Sequence, residues 1–435
     1  MLKKQVVNRI MVTALLVGCL SGCGQSVPQQ QEILGTPVST MSEETQMEEV
    51  TSTQTEEPQQ SADQEKAEEQ ESAEEEIVTQ EQTAKKENQN KDMENMAAVD
   101  IVKEMRMGWN LGNTLDSWRD DLASTEPTYK FETAWGNPET TQELIDTVIA
   151  QGFNVIRIPV SWRTHIGEAP EYKIEERWMQ RVQEVVDYAY NRGVYVILNT
   201  HHEDWNDPYY ENEEVASAKM KAVWTQIADV FADYDEHLIF EGQNEPRKIG
   251  TSLEWNGGDQ EGWDVVNRLN QVFIDTVRHS GGSNPYRMLM IPGYAANCWE
   301  GIKHIEVPED DNRIIVSVHA YEPYDFALNM QGRSEWNQDT SAIDTIMGNL
   351  KTMFLDKGIP VIIGEFAAMN RDNEEERAEW AMYYVSKARE IGVPCVWWDN
   401  GFFEGDGERL GLFDRKTYEC VYPMVLEALQ KATEE

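Results

Sequence analysis

Eight short apolar runs, each followed by a segment with helical periodicity, constrain the fold of this chain more than any other feature. They lie at Gly108 to Gly112, Val155 to Val160, Val194 to Thr200, Leu238 to Gln243, Met288 to Pro292, Ile314 to His319, Val361 to Phe366 and Cys395 to Trp398. Strands that alternate with helices build a parallel sheet, and eight of them predict a closed (β/α)8 TIM barrel of the α/β class. The intervening segments carry helix signals of their own. Thr140 with Glu143 predicts a capping box, Leu144, Ile145, Val148 and Ile149 form one apolar face, and Gly152 ends the helix. Glu176 to Arg192 repeats the scheme, with Trp178, Met179, Val182, Val185, Val186 and Ala189 on one side and Gly193 as terminator. A length of 435 residues would accommodate two or three average domains, but the first of the 14 Trp, 16 Tyr and 11 Phe is Trp109, so the aromatic anchors belong to one core.

What precedes that core reads differently. Lys3, Lys4 and Arg9 lead into an apolar stretch from Ile10 to Leu20, long enough for the centre of a signal peptide and too short to span a bilayer. It ends in Leu20-Ser21-Gly22-Cys23, which resembles the lipobox of bacterial lipoproteins, with Cys23 as the acylated residue; Leu16-Val17-Gly18-Cys19 fits the same loose pattern. From Gly24 to Asn95 the chain holds 19 Asp or Glu against 4 Lys, lacks the apolar area to offset chain entropy, and is expected to be a disordered tether. The expected organisation is therefore a lipoprotein-type leader over 1–23, an acidic linker over 24–95 and a barrel over 96–435. Such a protein would be exported, face the outside of the cell envelope, and touch the membrane only through its lipid anchor; the alternative is an ordinary secretory leader and a protein secreted free. The formal net charge of −42 repels nucleic acid and leaves a neutral polymer indifferent, so no nucleic-acid partner is expected. Cys298, Cys395 and Cys420 form no CxxC pair, so neither a metal site nor a disulfide is assigned to them.

In a (β/α)8 barrel the functional residues stand at the carboxyl ends of the strands. Those ends read Asn110 and Asn113, then Arg157, His201-His202, Asn244-Glu245, His319 with Tyr321, Glu365, and Trp397-Trp398-Asp399-Asn400. Glu245 and Glu365, on nearly opposite strands, suit glycosidic bond cleavage, in which one carboxylate attacks the anomeric carbon and another protonates the departing oxygen. Asn244 is placed to bind a sugar 2-hydroxyl, and Arg157 to keep Glu365 ionised, so that Glu245 would rest protonated. His201, His202, Glu203 and Asp204 could instead ligate zinc, but the second helical histidine of a zincin is missing, and no metal or other cofactor is expected. Trp398 is either a platform for a pyranose face or a core residue.

Taken together these residues resemble glycoside hydrolase family 5, the cellulase family. Gly108-Trp109-Asn110-Leu111-Gly112-Asn113, Ile156-Arg157-Ile158-Pro159, Asn199-Thr200-His201-His202-Glu203, Phe240 to Pro246, His319-Ala320-Tyr321 and Gly364-Glu365-Phe366 occur in the family's order. The resemblance implies a retaining endo-β-1,4-glucanase acting on β-glucan; a monomer is simply the default expectation. Glu245 matches the acid/base, Glu365 the nucleophile, and Arg157, His201, Asn244, His319, Tyr321 and Trp398 the remaining site positions, with Trp397 an alternative to Trp398. Asn113 and His202 complete the expected substrate-binding set. Mannanase or xylanase activity on the same fold, and a surface glycan-binding protein without catalysis, are the competing expectations.

Overall fold

The computed structural model describes residues 92–434; the leader, Cys23 with its alternative Cys19, and the acidic segment up to residue 91 lie outside the described residues. Eight parallel strands close into a barrel in chain order: β1 Met107–Leu111, β2 Val155–Ile158, β3 Tyr195–Asn199, β4 Leu238–Glu241, β5 Leu289–Asn297, β6 Ile314–His319, β7 Val361–Phe366 and β8 Cys395–Asp399. The (β/α)8 expectation holds. The strands read as apolar runs because helices cover the outside of the wall and side chains fill the inside, so both faces select apolar residues. Helix α1, Ala98–Glu104, precedes the barrel; α2 Gln142–Ala150, α3 Glu176–Tyr190, α4 Glu213–Val230, α5 Gln260–Arg278, α6 Ser341–Met353, α7 Glu374–Glu390 and α8 Pro423–Glu434 follow in turn. The connection from β5 to β6 carries only the 3₁₀ turn Gly301–His304 among its described residues. The six apolar residues expected on one face of α3 are all buried.

The barrel interior has two storeys. In the lower one, Ala98, Ile101 and Val102 of α1, with Met105 just after it, pack against inward residues of the strands, among them Val155, Ile197, Ile239, Met290, Ile362 and Val396. The upper storey repeats the same strand alternation but holds Asn110, Arg157, Asn199, Glu241 and Ser317, all fully buried. The floor is apolar and the roof polar, so the chemistry is confined to the carboxyl ends of the strands.

Three local expectations are corrected. Met93 is fully buried and Arg313 donates to the carbonyl of Glu94, so the folded chain includes residues assigned to the linker; one methionine among acids does not stand out by composition. The cap of α2 is Thr141, whose side chain accepts from the Leu144 N–H, because the Glu132 carboxylate takes the Thr140 N–H at 2.6 Å and holds that residue outside the helix. Strand β5 runs on past Pro292 through an irregular stretch and pairs again at Asn297 with His319.

Candidate active site

Arg157 organises the upper storey. Its Nε donates to Glu241 Oε2 at 2.8 Å, its Nη1 to Asn110 Oδ1 at 2.9 Å and to Glu365 Oε1 at 2.8 Å, and its Nη2 to Asn244 Oδ1 at 2.6 Å. Glu241 accepts in addition from Asn199 at 3.0 Å and Ser317 at 2.6 Å. A fully buried guanidinium is thus matched by carboxylates and amides on β1, β4, β7 and the loop after β4, which fixes the positions of Glu365 and Asn244 relative to one another.

Glu365 reaches the cavity through a break in register. Val318 pairs with Ile363, but His319 pairs with Glu365, so Gly364 is skipped and the carboxylate turns into the lumen. There Tyr321 donates its hydroxyl to Oε2 at 2.8 Å, while His319 Nδ1 lies 3.6 Å from the same oxygen and 2.7 Å from Glu245 Oε1. An oxygen of Glu245, an oxygen of Glu365 and a nitrogen of His319 fall within 4.8 Å of one another. Two carboxylates this close, on β7 and just past β4, match the short spacing of a nucleophile and an acid/base rather than the wider one of a pair that places a water for direct attack.

The electrostatics differ from the expectation that Arg157 alone would order the pair. Burial pushes Glu245 upward, but the hydrogen bond and charge of His319, followed by Arg247 and His202, outweigh it and hold this carboxyl below its ordinary value. Glu365 is raised by burial, with the Glu245 charge adding to it, against the pull of His319, Arg157 and Tyr321. His319 is pushed down by burial but lifted above its ordinary value by Glu365 and Glu245. The directions are thus the reverse of that expectation, and two carboxyls and an imidazole titrate together. Burial and the Glu365 charge raise the Tyr321 hydroxyl far out of the working range, so it stays a donor.

His201, His202 and Trp398 form a second wall. Asn199 Oδ1 accepts from the Val160 N–H and its Nδ2 donates to His201 Nδ1, so the other ring nitrogen of His201 carries the proton and can donate to a hydroxyl. Burial holds His201 far below its ordinary value, and His202 is lowered by burial to about 4; both are neutral donors or acceptors. Trp398 stacks on His201 at 5.5 Å with 3° between the planes, whereas Trp397 is fully buried and donates to the Leu410 carbonyl among Phe366 and Trp380. Strand alternation decides between the two: Val396 and Trp398 face inward, Trp397 outward. Gly112 makes the Trp398 position possible, because a Cβ there would meet the indole at 2.8 Å. Asn113 sits at φ 56°, a left-handed conformation that Asn tolerates, in the loop after β1 where Asp116 accepts its N–H.

The zinc alternative does not assemble as expected. Glu203 accepts from the Trp162 N–H and Trp205 Nε1, and Asp204 is 3.6 Å from Arg163, so neither joins the two histidines. Asp116, His201 and His202 do converge within 4.8 Å, but Asp116 already accepts from two backbone N–H groups and His201 Nδ1 is taken by Asn199. Cys298, Cys395 and Cys420 are free thiols. Glu241, Asn199, Ser317 and Arg247, which touch the site or its supports, were not among the expected site residues. The available signal was Arg157 itself, since a cation inside an apolar strand requires a buried acid.

Comparison with known proteins places this geometry in a wider group. A family model described as Cellulase (glycosyl hydrolase family 5) matches residues 121–404. Endoglucanase B of Neocallimastix patriciarum is 52% identical over 345 residues, covering 79% of this chain and 73% of that protein. Among solved structures, a GH5-4 broad specificity endoglucanase from Ruminococcus champanellensis with bound cellotriose superposes with a TM-score of 0.75 at 46% identity, over 77% of this chain and 98% of that one. A xyloglucan-specific endo-β-1,4-glucanase from a metagenomic library, in complex with cellotriose, gives 0.74 at 42% identity over 77% and 98%.

Proposed function

Because the chain belongs to the cellulases of glycosyl hydrolase family 5, a family of retaining enzymes, we propose that Glu365 is its nucleophile and Glu245 its general acid/base. The protein is a glycoside hydrolase of the endo-β-1,4-glucanase type acting on polysaccharide. The observation that carries the retaining reading is the approach of an oxygen of each carboxylate to within 4.8 Å; which of the two takes which role follows the family's motif positions.

In the first step a Glu365 oxygen bonds to the anomeric carbon as the glycosidic C–O bond breaks, and the departing oxygen takes a proton from Glu245. That proton comes from the shared unit with His319, whose Nδ1 lies 2.7 Å from Glu245. Esterification removes the negative charge of Glu365, which leaves His319 and Arg247 to favour the carboxylate form of Glu245. In the second step Glu245 takes a proton from water as the water oxygen bonds to the anomeric carbon and the ester breaks. Asn244, oriented by Arg157, meets the 2-hydroxyl; His201, His202 and Asn113 meet further hydroxyls, and Trp398 the sugar face.

The glucan preference we propose is broad, with mixed-linkage glucan, cellulose and xyloglucan as substrates, supported by the broad-specificity and xyloglucan-specific relatives. The enzyme acts as a monomer on the outer face of the cell envelope, anchored through Cys23; a Cys23→Ala variant should move from the membrane fraction to the medium, and unchanged fractionation would remove the anchor. The catalytic reading is tested with carboxymethylcellulose, mixed-linkage glucan, xyloglucan, xylan and mannan, using Glu365→Ala as the blank. Glucan oligomers absent from the blank support it; release from mannan or xylan alone overturns the glucanase specificity. Glu245→Ala should retain turnover on aryl glycosides with good leaving groups, which need little protonation, and Glu365→Ala should lose both substrate types. Equal damage in the two variants would sink the assignment of roles.

A further inference from the structure

The ladder between β4 and β5 pairs Phe240 with Leu289 and Glu241 with Met290, and carries on only to the Gly242 N–H, which donates to the Met290 carbonyl at 3.0 Å. Glu245 stands three residues further on. Its carboxylate is nevertheless 2.7 Å from His319 Nδ1 and within 4.8 Å of Glu365, so something other than that ladder must hold the backbone there. The segment 246–253 is fastened to the irregular end of β5 instead. The Ala295 N–H donates to the Pro246 carbonyl at 2.9 Å, and the Tyr294 hydroxyl accepts from the Lys248 N–H at 2.8 Å and donates to the Leu253 carbonyl at 3.1 Å. Ala295 and Ala296 sit at φ 55° and 45°, left-handed conformations that alanine adopts only where its surroundings impose them. Beyond them Asn297 resumes pairing, with His319, so one irregular stretch of β5 holds both the strand of His319 and the chain of Glu245. The Tyr294 ring is fully buried in a slot between Gly258 and Gly262, where a Cβ on either glycine would come within 2.7 Å of it.

We propose that Tyr294 is a positioning residue for the acid/base: its hydroxyl, together with the Ala295 N–H, sets the backbone that carries Glu245 and so the place from which the Glu245 carboxyl meets the departing oxygen. This role rests on Glu245 being the acid/base. Tyr294 acts through Lys248 and Pro246 and takes no part in the bonds that form or break. Without its hydroxyl the Lys248 N–H, on a residue only 3% exposed, loses its acceptor, and the segment relieves that loss by moving. Proton transfer depends steeply on where the donor stands, so a small displacement of Glu245 weakens protonation. Attack by Glu365 is spared, because that carboxylate is held by Arg157 on β2 and by Tyr321 after β6, and neither contact passes through the segment after Glu245.

That difference supplies the test. kcat/KM is measured over a series of aryl β-cellobiosides, from dinitrophenyl, which leaves without help, to phenyl, which needs a proton. The slope of kcat/KM against leaving-group basicity reports how much of the proton Glu245 delivers. A loss of folded protein lowers every member of the series by the same factor and leaves the slope unchanged. Tyr294→Phe keeps the ring in its slot and should steepen the slope, with a fall of about 10-fold on the phenyl glycoside and less than about 2-fold on the dinitrophenyl one. Gly262→Ala drives a Cβ into the ring while keeping the hydroxyl, favours helix α5 by propensity, and should steepen the slope in the same way. Glu245→Ala sets the limit of the steepening. A Tyr294→Phe slope equal to that of the wild type overturns the positioning role and leaves Tyr294 a core residue. A Glu245→Ala slope equal to that of the wild type overturns the acid/base reading itself, and the role of Tyr294 with it.

Discussion

Glu241 decides how Arg157 can be used. It accepts from Arg157, Asn199 and Ser317 and has no access to solvent, so its carboxylate offsets part of the Arg157 charge that would otherwise act on Glu365. Glu241→Gln keeps the volume and removes the charge, so the whole field of Arg157 falls on Glu365. The expected result is an acidic limb of kcat/KM displaced to lower pH. With it should come a loss of kcat on the order of 10²-fold as Arg157 shifts, and a stability loss of about 3 kcal/mol for breaking one buried pair. An unmoved limb in a folded variant would reduce Glu241 to a space filler. This residue shows where reading the sequence stopped. Glu245, His201 and Tyr321 were legible because each stands just past an apolar run and Glu365 because it is one residue from the end of one, whereas Glu241 sits deeper inside the run Leu238 to Gln243, and its partners on β2, β3 and β6 are far away along the chain.

At the level of elements, legibility followed the covering of each strand. The wall strands showed themselves as apolar runs because both faces are buried; the register breaks did not, since a skipped Gly364 or the irregular end of β5 leaves no mark in hydrophobicity. The choice between Trp397 and Trp398 required strand parity, which two adjacent indoles cannot reveal. The α2 cap failed for a similar reason: Thr140 and Thr141 are equivalent until Glu132 and Arg181 claim the backbone of Thr140. The structure separates them energetically. Thr141→Ala removes the acceptor for the Leu144 N–H and should cost about 1 kcal/mol in chemical denaturation. Thr140 Oγ1 is buried without a hydrogen-bond partner, so Thr140→Val should be neutral or slightly stabilising. A larger loss at position 140 than at 141 would return the cap to Thr140.

For the molecule as a whole, stability against pH is set by buried groups that pull in opposite directions. His165 stacks on Trp178 at 4.0 Å, abuts Phe131, and is lowered by burial to about 4, against the hydrogen bond and charge of Glu175. Its unfolded form takes a proton near pH 6.5 and its folded form only near 4, so the stability it confers is complete above about 6.5 and is lost as pH falls toward 4. Asp116 and Glu203 act the other way. Burial raises them to about 6 and about 7, so their folded forms bind protons that the unfolded chain releases, and they favour the folded state as pH falls through that window. The strongly acidic chain also loses self-repulsion on acidification. These terms offset one another between pH 4 and 6.5, so the wild type should show a shallow slope there in denaturant midpoint. His165→Gln removes an opposing group that lies outside the active-site cleft. The variant should be weaker than the wild type at pH 7, where the neutral ring packs well. The gap should narrow by about 3 kcal/mol on going to pH 4, where the wild type must either protonate His165 or unfold. A gap that stays constant across the window would show that His165 titrates alike in the folded and unfolded chain, and that the acid response of this barrel is carried by its carboxyls alone.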